Sequence, residues 1–248
     1  MIPKIIHYCW FGHNPLPPLA VNCIESWKKF LPDYEIKEWN EGNFDINIIP
    51  YTQQAYSVKK FAFVSDFARF WILYHYGGIY FDTDVELIRP IGDIVNQGAF
   101  MGFEQEPYRN FVGTVNPGLG LAMPPRHQFL EKIIERYKTY TFISDKGEIL
   151  VKPNVVQYTT MLLKDLGLSC LGGNSQVVSE INIYPKEFFS PIDVVTNRIS
   201  ITDNTRTIHH YAGSWVDDSK VSLKQKIRNF LPKKWLIWYS WYKNHRNS

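Results

Sequence analysis

The stretch Ser65-Asp-Phe-Ala-Arg-Phe-Trp-Ile-Leu-Tyr-His-Tyr-Gly-Gly-Ile-Tyr-Phe-Asp-Thr-Asp84 reads as a helix, a glycine stop, a short strand and a pair of carboxylates. Ser65 is a good N-cap, Asp66 suits the positive end of a helix dipole, and Gly77-Gly78 supplies a C-terminal stop. The spacing therefore predicts a helix over Asp66–Tyr76. Ile79-Tyr80-Phe81 is apolar, β-favouring and too brief for another helix, so it reads as a buried strand. If the chain stays extended beyond it, the two-residue period points Asp82 and Asp84 the same way at the strand's carboxyl end. Like charges so placed repel unless a cation lies between them. Hard carboxylate oxygens suit Mn2+ or Mg2+, and Mg2+ fills its remaining positions with water and phosphate oxygens. The pair points to a metal-diphosphate site, at the strand ends where open α/β sheets take their ligands; the alternative is two solvated turn aspartates. Asp66 and Arg69 share one helix face. Amid Phe67, Phe70, Trp71, Ile72 and Leu73 that pair is expected to be partly buried, and buried charges have a partner or a job.

The run Ser65-Asp-x-x-Arg69, then Tyr74-x-x-Gly77-Gly78-Ile79-Tyr80-x-Asp82-x-Asp84, resembles the sugar-transferase signature of OCH1-like and capsular-polysaccharide-type glycosyltransferases. These are distantly similar to the catalytic domains of large clostridial glucosylating toxins. The resemblance is specific over residues 1–90 and recurs near His209. It implies an α/β fold of the GT-A type (a Rossmann-like mixed sheet flanked by helices), a nucleotide-sugar donor, Mn2+ or Mg2+, and transfer with retention of anomeric configuration.

A chain of 248 residues suffices for one large α/β domain with a substantial core, and no linker, repeat or low-complexity segment divides it. Charge is uneven: from Ser219 onward there are eight of the 27 Lys and Arg and none of the 24 Asp and Glu, so the rest is net acidic. The expected division is a GT-A domain over residues 1–218, with 1–90 as its nucleotide-sugar-binding half, and a basic, aromatic, helical tail over 219–248. Cys9, Cys23 and Cys170 lack metal-ligand spacing and leave one over, which fits a reducing compartment. Met1-Ile-Pro-Lys4 leads into a strand without signal-peptide character, and no apolar run approaches a membrane span. A cytoplasmic chain, soluble or peripherally attached to the membrane, is expected.

In chain order, Ile2–Trp10 reads as a first strand, which puts Trp10 near the same sheet edge as Asp82. Trp10 is either core packing or, as the resemblance implies for its Trp-x-Gly, a platform for the nucleobase. Pro17-Pro18 opens a helix to Phe30, Tyr34–Trp39 is a strand, and Thr52–Phe61 is a helix whose Lys59-Lys60 forms a solvated face. Val85–Ile88 continues as a strand. Residues 98–103 and 115–123 are strands around turns at Glu106-Pro107 and Asn116-Pro117, and Gln128–Tyr140 and Asn154–Leu166 are helices. Asn116-Pro-Gly-Leu-Gly120 is either a loop near the donor sugar or a plain turn. The middle of the chain says almost nothing of the acceptor.

Thr207-Ile-His-His-Tyr-Ala-Gly-Ser-Trp215 is the second informative cluster. As a strand over Thr207–Tyr211 its two histidines face opposite ways, so at most one joins the aspartates. A neutral imidazole is a common third ligand for Mn2+. The resemblance implies His209 in that role, leaving His210 as an ordinary side chain, and gives the hydroxyl of Ser214 and the indole of Trp215 to the donor's terminal phosphate. In the tail, Trp235, Trp238, Tyr239 and Tyr242 form one helical stripe flanked by Lys233, Lys234 and Lys243. That is either an interfacial helix on an anionic membrane surface or a helix docked on the domain.

The resulting expectation is a metal-dependent retaining glycosyltransferase of surface (capsular) polysaccharide synthesis. It would take a UDP-sugar and a glycan or lipid-linked saccharide acceptor, with no nucleic-acid partner. Asp82, Asp84 and His209 hold the cation; Trp10, Asp66 and Tyr80 seat nucleoside and ribose; Arg69 holds sugar or phosphate; Asn116 lies near the sugar. No nucleophile for a double displacement is evident, so front-face attack by the acceptor hydroxyl is expected. The rivals are a haloacid-dehalogenase-type, Mg-dependent phosphohydrolase, with Asp82 as nucleophile and Asp217-Asp218 as a later acidic pair, and a non-catalytic sugar- or lipid-binding module.

Overall fold

The protein is described from a computed structural model covering residues 1–151, 153–170, 174–193, 196 and 198–212. Ser214, Trp215, Asp217-Asp218, the boundary at residue 218 and the aromatic stripe of the tail lie outside the described residues.

The chain begins with β1 (Ile5–Cys9), α1 (Pro18–Phe30), β2 (Glu35–Trp39), α2 (Pro50–Ser57), α3 (Phe61–Tyr76), β3 (Gly78–Tyr80) and β4 (Val85–Leu87). Then come α4 (Gly92–Val95), β5 (Phe100–Gln105), β6 (Thr114–Val115), β7 (Leu121–Met123), α5 (Gln128–Lys138) and α6 (Val155–Asp165). The described part closes with β8 (Gln176–Val178), β9 (Ile181–Tyr184), α7 (Lys186–Phe189), β10 (Ile192–Asp193), β11 (Arg198–Ile199) and β12 (Thr207–His209).

A mixed sheet in the order β2-β1-β3-β7-β5-β9-β8, with β6 paired to β5, forms the centre. β1 runs parallel to both β2 and β3, whereas β7 is antiparallel to β3 and β5. Both sheet faces are covered, so alternate residues of one strand enter different cores. In β1, Ile6 and Tyr8 pack with Cys23, Ile24 and Trp27 of α1, while Cys9 joins Phe67, Phe70 and Leu73 of α3 on the other side. β3 divides likewise between Ile79 and Tyr80. Such two-sided burial explains why these strands read as apolar runs rather than clean alternations.

The helix before the carboxylate pair departs from expectation. α3 starts at Phe61, one turn before Ser65, and the Ser65 hydroxyl bonds back to the Phe61 carbonyl at 3.3 Å instead of capping. Burial outweighs cap propensity here: Phe61 packs on Tyr56 and Phe63 on Phe142, so ordering that extra turn covers apolar rings. α2 ends earlier than expected, at Ser57, because Lys59 turns the chain through the left-handed region (φ 57°) between the two helices. Lys59-Lys60 is thus a helix junction rather than a helical face. At the other end Gly77 (φ 63°) stops α3 where a Cβ would lie 2.6 Å from Pro125 Cδ, so the glycine is required for space as well as conformation. α1, α5 and α6 agree with expectation to within a few residues, and Asn154 forms a full capping box with Gln157 at the start of α6. The elements β8 to β11 and α7 had no clear sequence signal.

Candidate active site

β1 and β3 run side by side in register, Ile6 beside Ile79 and His7 beside Tyr80, so their carboxyl ends open on one edge of the sheet. Asp82-Thr83-Asp84 leaves that edge as a turn, closed by the Val85 N–H donating to the Asp82 carbonyl at 3.0 Å, and not as the extended continuation expected. The turn releases β4 from the main sheet into an antiparallel ribbon with β12, in which His209 lies opposite Val85. This register carries the imidazole to Asp84: Nε2 is 3.1 Å from Asp84 Oδ1. The ribbon also brings the Ala212 N–H to Asp84 Oδ2 at 2.8 Å. The alternation expected within 207–211 places His210 elsewhere, with Nε2 2.9 Å from Glu86 Oε2.

Asp82, Asp84 and His209 each offer one ligand atom, and these atoms lie within 4.8 Å of one another. His209 is buried (7% exposed), and its Nδ1 has no hydrogen-bond partner among the described residues. Burial disfavours a charge on His209, but its hydrogen bond and attraction to Asp84 prevail and raise its pKa. Burial likewise works against the Asp84 carboxylate, yet His209 and the Ala212 N–H hold it below its usual range. Two hard carboxylates and a borderline imidazole converging at a sheet edge, one ring nitrogen without an acceptor, fit a divalent cation of the Mn2+ or Mg2+ type.

Asp82 belongs to a second network as well. Arg69 Nη2 lies 2.7 Å from Asp66 Oδ1 and 3.3 Å from Asp82 Oδ1, its guanidinium sits over the Tyr80 ring at 4.8 Å, and the Tyr80 hydroxyl donates to Asp82 Oδ1 at 3.1 Å. The Asp66–Arg69 pair is buried more deeply than the partial burial expected, with side chains 12% and 4% exposed. Burial pushes the Asp66 carboxyl up to about 7 against the pull of Arg69, while the carboxylates around Arg69 outweigh its own burial and hold it firmly charged. Arg69 Nη1 has no partner among the described residues.

The Asn116-Pro-Gly-Leu-Gly120 loop lies against the same aspartate. Asn116 Oδ1 accepts from the Gly118 N–H at 2.7 Å, and the Gly118 carbonyl accepts from the Asp82 N–H at 3.1 Å. A side chain at Gly118 would collide with the Asp82 carboxylate. Trp10 follows β1 at the same edge, half-buried, its indole N–H donating to the Asn14 carbonyl at 2.6 Å. The structure therefore gathers Asp66, Arg69, Tyr80, Asp82, Asp84, Asn116 and His209 into one connected group, with Trp10 at its border. Sequence reasoning missed the part played by Gly118 and by Glu104, whose Oε1 accepts from Asn116 Nδ2 at 2.9 Å. Glu104 carried one signal, a lone carboxylate ending the apolar run Phe100-Met-Gly-Phe103; Gly118 becomes visible only through its long-range approach to Asp82.

Residues 17–101 match the family described as glycosyltransferase sugar-binding region containing DXD motif. Inositol phosphoceramide mannosyltransferase 1 of Schizosaccharomyces pombe is 27% identical over 150 residues, 56% of this chain and 44% of that protein. Mannosyl phosphorylinositol ceramide synthase CSH1 of Saccharomyces cerevisiae is 30% identical over 144 residues, 56% of this chain and 36% of that protein. The chain thus spans less than half the length of these relatives. A solved glycosyltransferase involved in glycosylation of the major capsid of PBCV-1 aligns with a TM-score of 0.49 at 10% identity, covering 92% of this chain and all of that one. Asp82-Thr83-Asp84 lies inside the matched region, residues 17–101 of 248, and is a triplet of the DXD form that the family's description names.

Proposed function

We propose that the chain is a metal-dependent retaining glycosyltransferase that moves a sugar from a UDP-sugar to a glycan or lipid-linked glycan acceptor in surface polysaccharide synthesis. The observation that carries this reading is the convergence of Asp82, Asp84 and His209 within 4.8 Å at the sheet edge. A cation bound there supplies positive charge against a departing diphosphate. The chain's own residues fix that place. Arg69 and Tyr80 clamp Asp82 through Oδ1, and His209 and the Ala212 N–H clamp Asp84, so neither carboxylate need reorganise on binding. Arg69 Nη1 is a donor left for a sugar or phosphate oxygen, Trp10 offers a ring face to the base, Asp66 and Tyr80 border the nucleoside, and Ser214 and Trp215 add donors for the terminal phosphate.

Catalysis in this reading is positioning plus leaving-group stabilisation. Asp82 and Asp84 are committed to their partners, which weighs against either acting as a nucleophile and against the phosphohydrolase alternative. The acceptor hydroxyl then attacks on the face from which the diphosphate departs, and retention follows; trapping the sugar covalently on a carboxylate of this chain would overturn that step. The relatives' names, which pair mannosyl transfer with inositol phosphoceramide, support a lipid-linked acceptor and add mannose to the donor sugars worth testing. Among the described residues no helix is long and apolar enough to cross a membrane. Cytoplasmic placement with residues 219–248 against an anionic surface belongs to the same proposal, supported by the three free cysteines and the tail's charge.

The test is release of nucleoside diphosphate from a panel of UDP-sugars and GDP-mannose, with Mn2+ and with EDTA. Hydrolysis is expected for one donor, only with metal. It should fall more than roughly 100-fold in Asp84→Ala, since a lost ligand exceeds the 10–100-fold that outer partners carry. Activity that survives EDTA or Asp84→Ala unchanged refutes the reading.

A further inference from the structure

β4, which follows directly on Asp84, has a strand beside it on one edge only. On that edge the His210 N–H donates to the Asp84 carbonyl and the Ile88 N–H to the Arg206 carbonyl, both at 2.9 Å. By the alternation of an antiparallel ladder, the main-chain groups of Val85 and Leu87 then face the other way. Two side chains of α1 meet them there in place of a further strand. The Trp27 indole N–H donates to the Val85 carbonyl at 2.8 Å, and the Leu87 N–H donates to Ser26 Oγ at 2.9 Å. A buried backbone carbonyl left without such a partner is costly, so the indole is a specific requirement of this edge.

Trp27 is fully buried, and it reaches the other end of the carboxylate turn as well: its ring centroid lies 5.5 Å from that of Phe81. Phe81 immediately precedes Asp82 and Val85 immediately follows Asp84, so one side chain braces both ends of Asp82-Thr83-Asp84. Val85 also lies opposite His209 across the ribbon, and a shift of its backbone moves the imidazole too. The bonds from Leu87 to Ser26 and from Thr207 Oγ1 to the Phe189 carbonyl, the latter at 3.0 Å, hold the far end of the ribbon, where Leu87 faces Thr207. The Tyr211 hydroxyl, 2.7 Å from Ser190 Oγ, acts on the chain beyond β12. We propose that Trp27 is a positioning residue of the metal group: its indole N–H, through the Val85 carbonyl, fixes the turn that presents Asp82 and Asp84 and their separation from His209. Partners behind the ligands orient them without touching the metal, and their loss shows as weakened metal affinity. The inference rests on the metal-site reading above.

Mn2+ itself is the probe, titrated calorimetrically into the metal-stripped full chain, with the melting temperature of each metal-free variant measured alongside. Trp27→Phe keeps an aromatic ring and loses the donor, and it is expected to bind Mn2+ about tenfold more weakly than wild type. Ile24→Ala is the control for a purely structural role: it opens a cavity in the same core but removes no bond to the ribbon. It should lower the melting temperature and leave Mn2+ affinity at the wild-type value. Trp27→Phe that melts lower yet binds Mn2+ as wild type does overturns the proposal, and so does an equal loss of affinity in Ile24→Ala. If Trp27→Phe does not fold, replacing Trp27 by benzothienylalanine, which has the same shape with sulfur in place of the N–H, decides; wild-type affinity there overturns it. A wild-type chain that takes up no Mn2+ overturns the metal site itself, a result distinct from any of these.

Discussion

Replacing Gly118 by alanine tests whether the Asp82 carboxylate must sit where the structure puts it. The added Cβ would overlap Asp82 Oδ2, and it would lie 2.8 Å from Asp82 Cγ and 3.1 Å from Asn116 Oδ1. Carbon atoms pack at about 3.5–4.0 Å, so the carboxylate has to retreat by about 1 Å. It has nowhere easy to go, because Oδ1 is held by Arg69 at 3.3 Å and by Tyr80 at 3.1 Å. Functional constellations tolerate displacements of about 0.5 Å, so Mn2+ affinity should fall on the order of 10–100-fold, or about 1.4–2.7 kcal/mol. Gly118 does not occupy the left-handed region, so alanine adds no backbone strain, and any fall in melting temperature should reflect only the crowding at Asp82, about 1–3 kcal/mol. Gly92→Ala is the matched control, since nothing lies within 4 Å of a Cβ there. Calorimetric titration with Mn2+, followed by UDP-sugar hydrolysis, reads the effect. Wild-type Mn2+ affinity in Gly118→Ala would show that Asp82 is not held in place as argued.

Three further outcomes follow from the same geometry. Arg69→Ala strands a buried carboxylate at Asp66 and should cost about 3–5 kcal/mol of stability in urea unfolding, more than the Asp66→Ala/Arg69→Ala double variant; a single variant as stable as wild type contradicts the buried pair. His7 is fully buried, one ring nitrogen bonded to the Gly77 carbonyl at 2.9 Å and Nδ1 accepting from Trp39 Nε1 at 3.0 Å; burial lowers its pKa from 6.5 to about 4. A depressed folded-state pKa gives stability that is present above pH 6.5 and lost as pH falls towards 4, up to roughly 3 kcal/mol, and His7→Asn should flatten that part of the unfolding free energy against pH. Equal slopes in variant and wild type would refute it. Trp10→Ala should weaken UDP binding about tenfold, as loss of one base-stacking ring does, with Mn2+ affinity unchanged; UDP bound equally well would return Trp10 to a packing role.

The carboxylate pair, the helix before it and the glycine stop were legible because each is a local signal. A turn of apolar rings, two adjacent glycines and a three-residue β-favouring run leave few alternatives within their own windows. The start of α3 was not, because a serine with cap propensity lost to the burial of Phe61 and Phe63 against Tyr56 and Phe142, and Phe142 lies far along the chain. The extended Asp82–Asp84 segment was misjudged for a related reason: nothing local announces that the chain turns there to enter a ribbon with β12. Strand alternation did separate the two histidines, and the ribbon register then selected His209 for the aspartates and gave His210 to Glu86.

By itself the sequence determined the chemical inventory: two carboxylates at the end of a buried strand, an arginine three residues from an aspartate on an apolar helix, and an imidazole on a late strand. Tertiary structure alone decided how these meet. Asp82 is shared between Arg69 and the group it forms with Asp84 and His209, Gly118 leaves room for it, and Glu104 accepts from Asn116 of the loop that carries Gly118. The division is physical. Propensity and periodicity act over a few neighbouring residues, whereas the distances between Asp82 after β3, Asp84 before β4 and His209 on β12 are set by strand pairing and register, which emerge only once both faces of the sheet are packed.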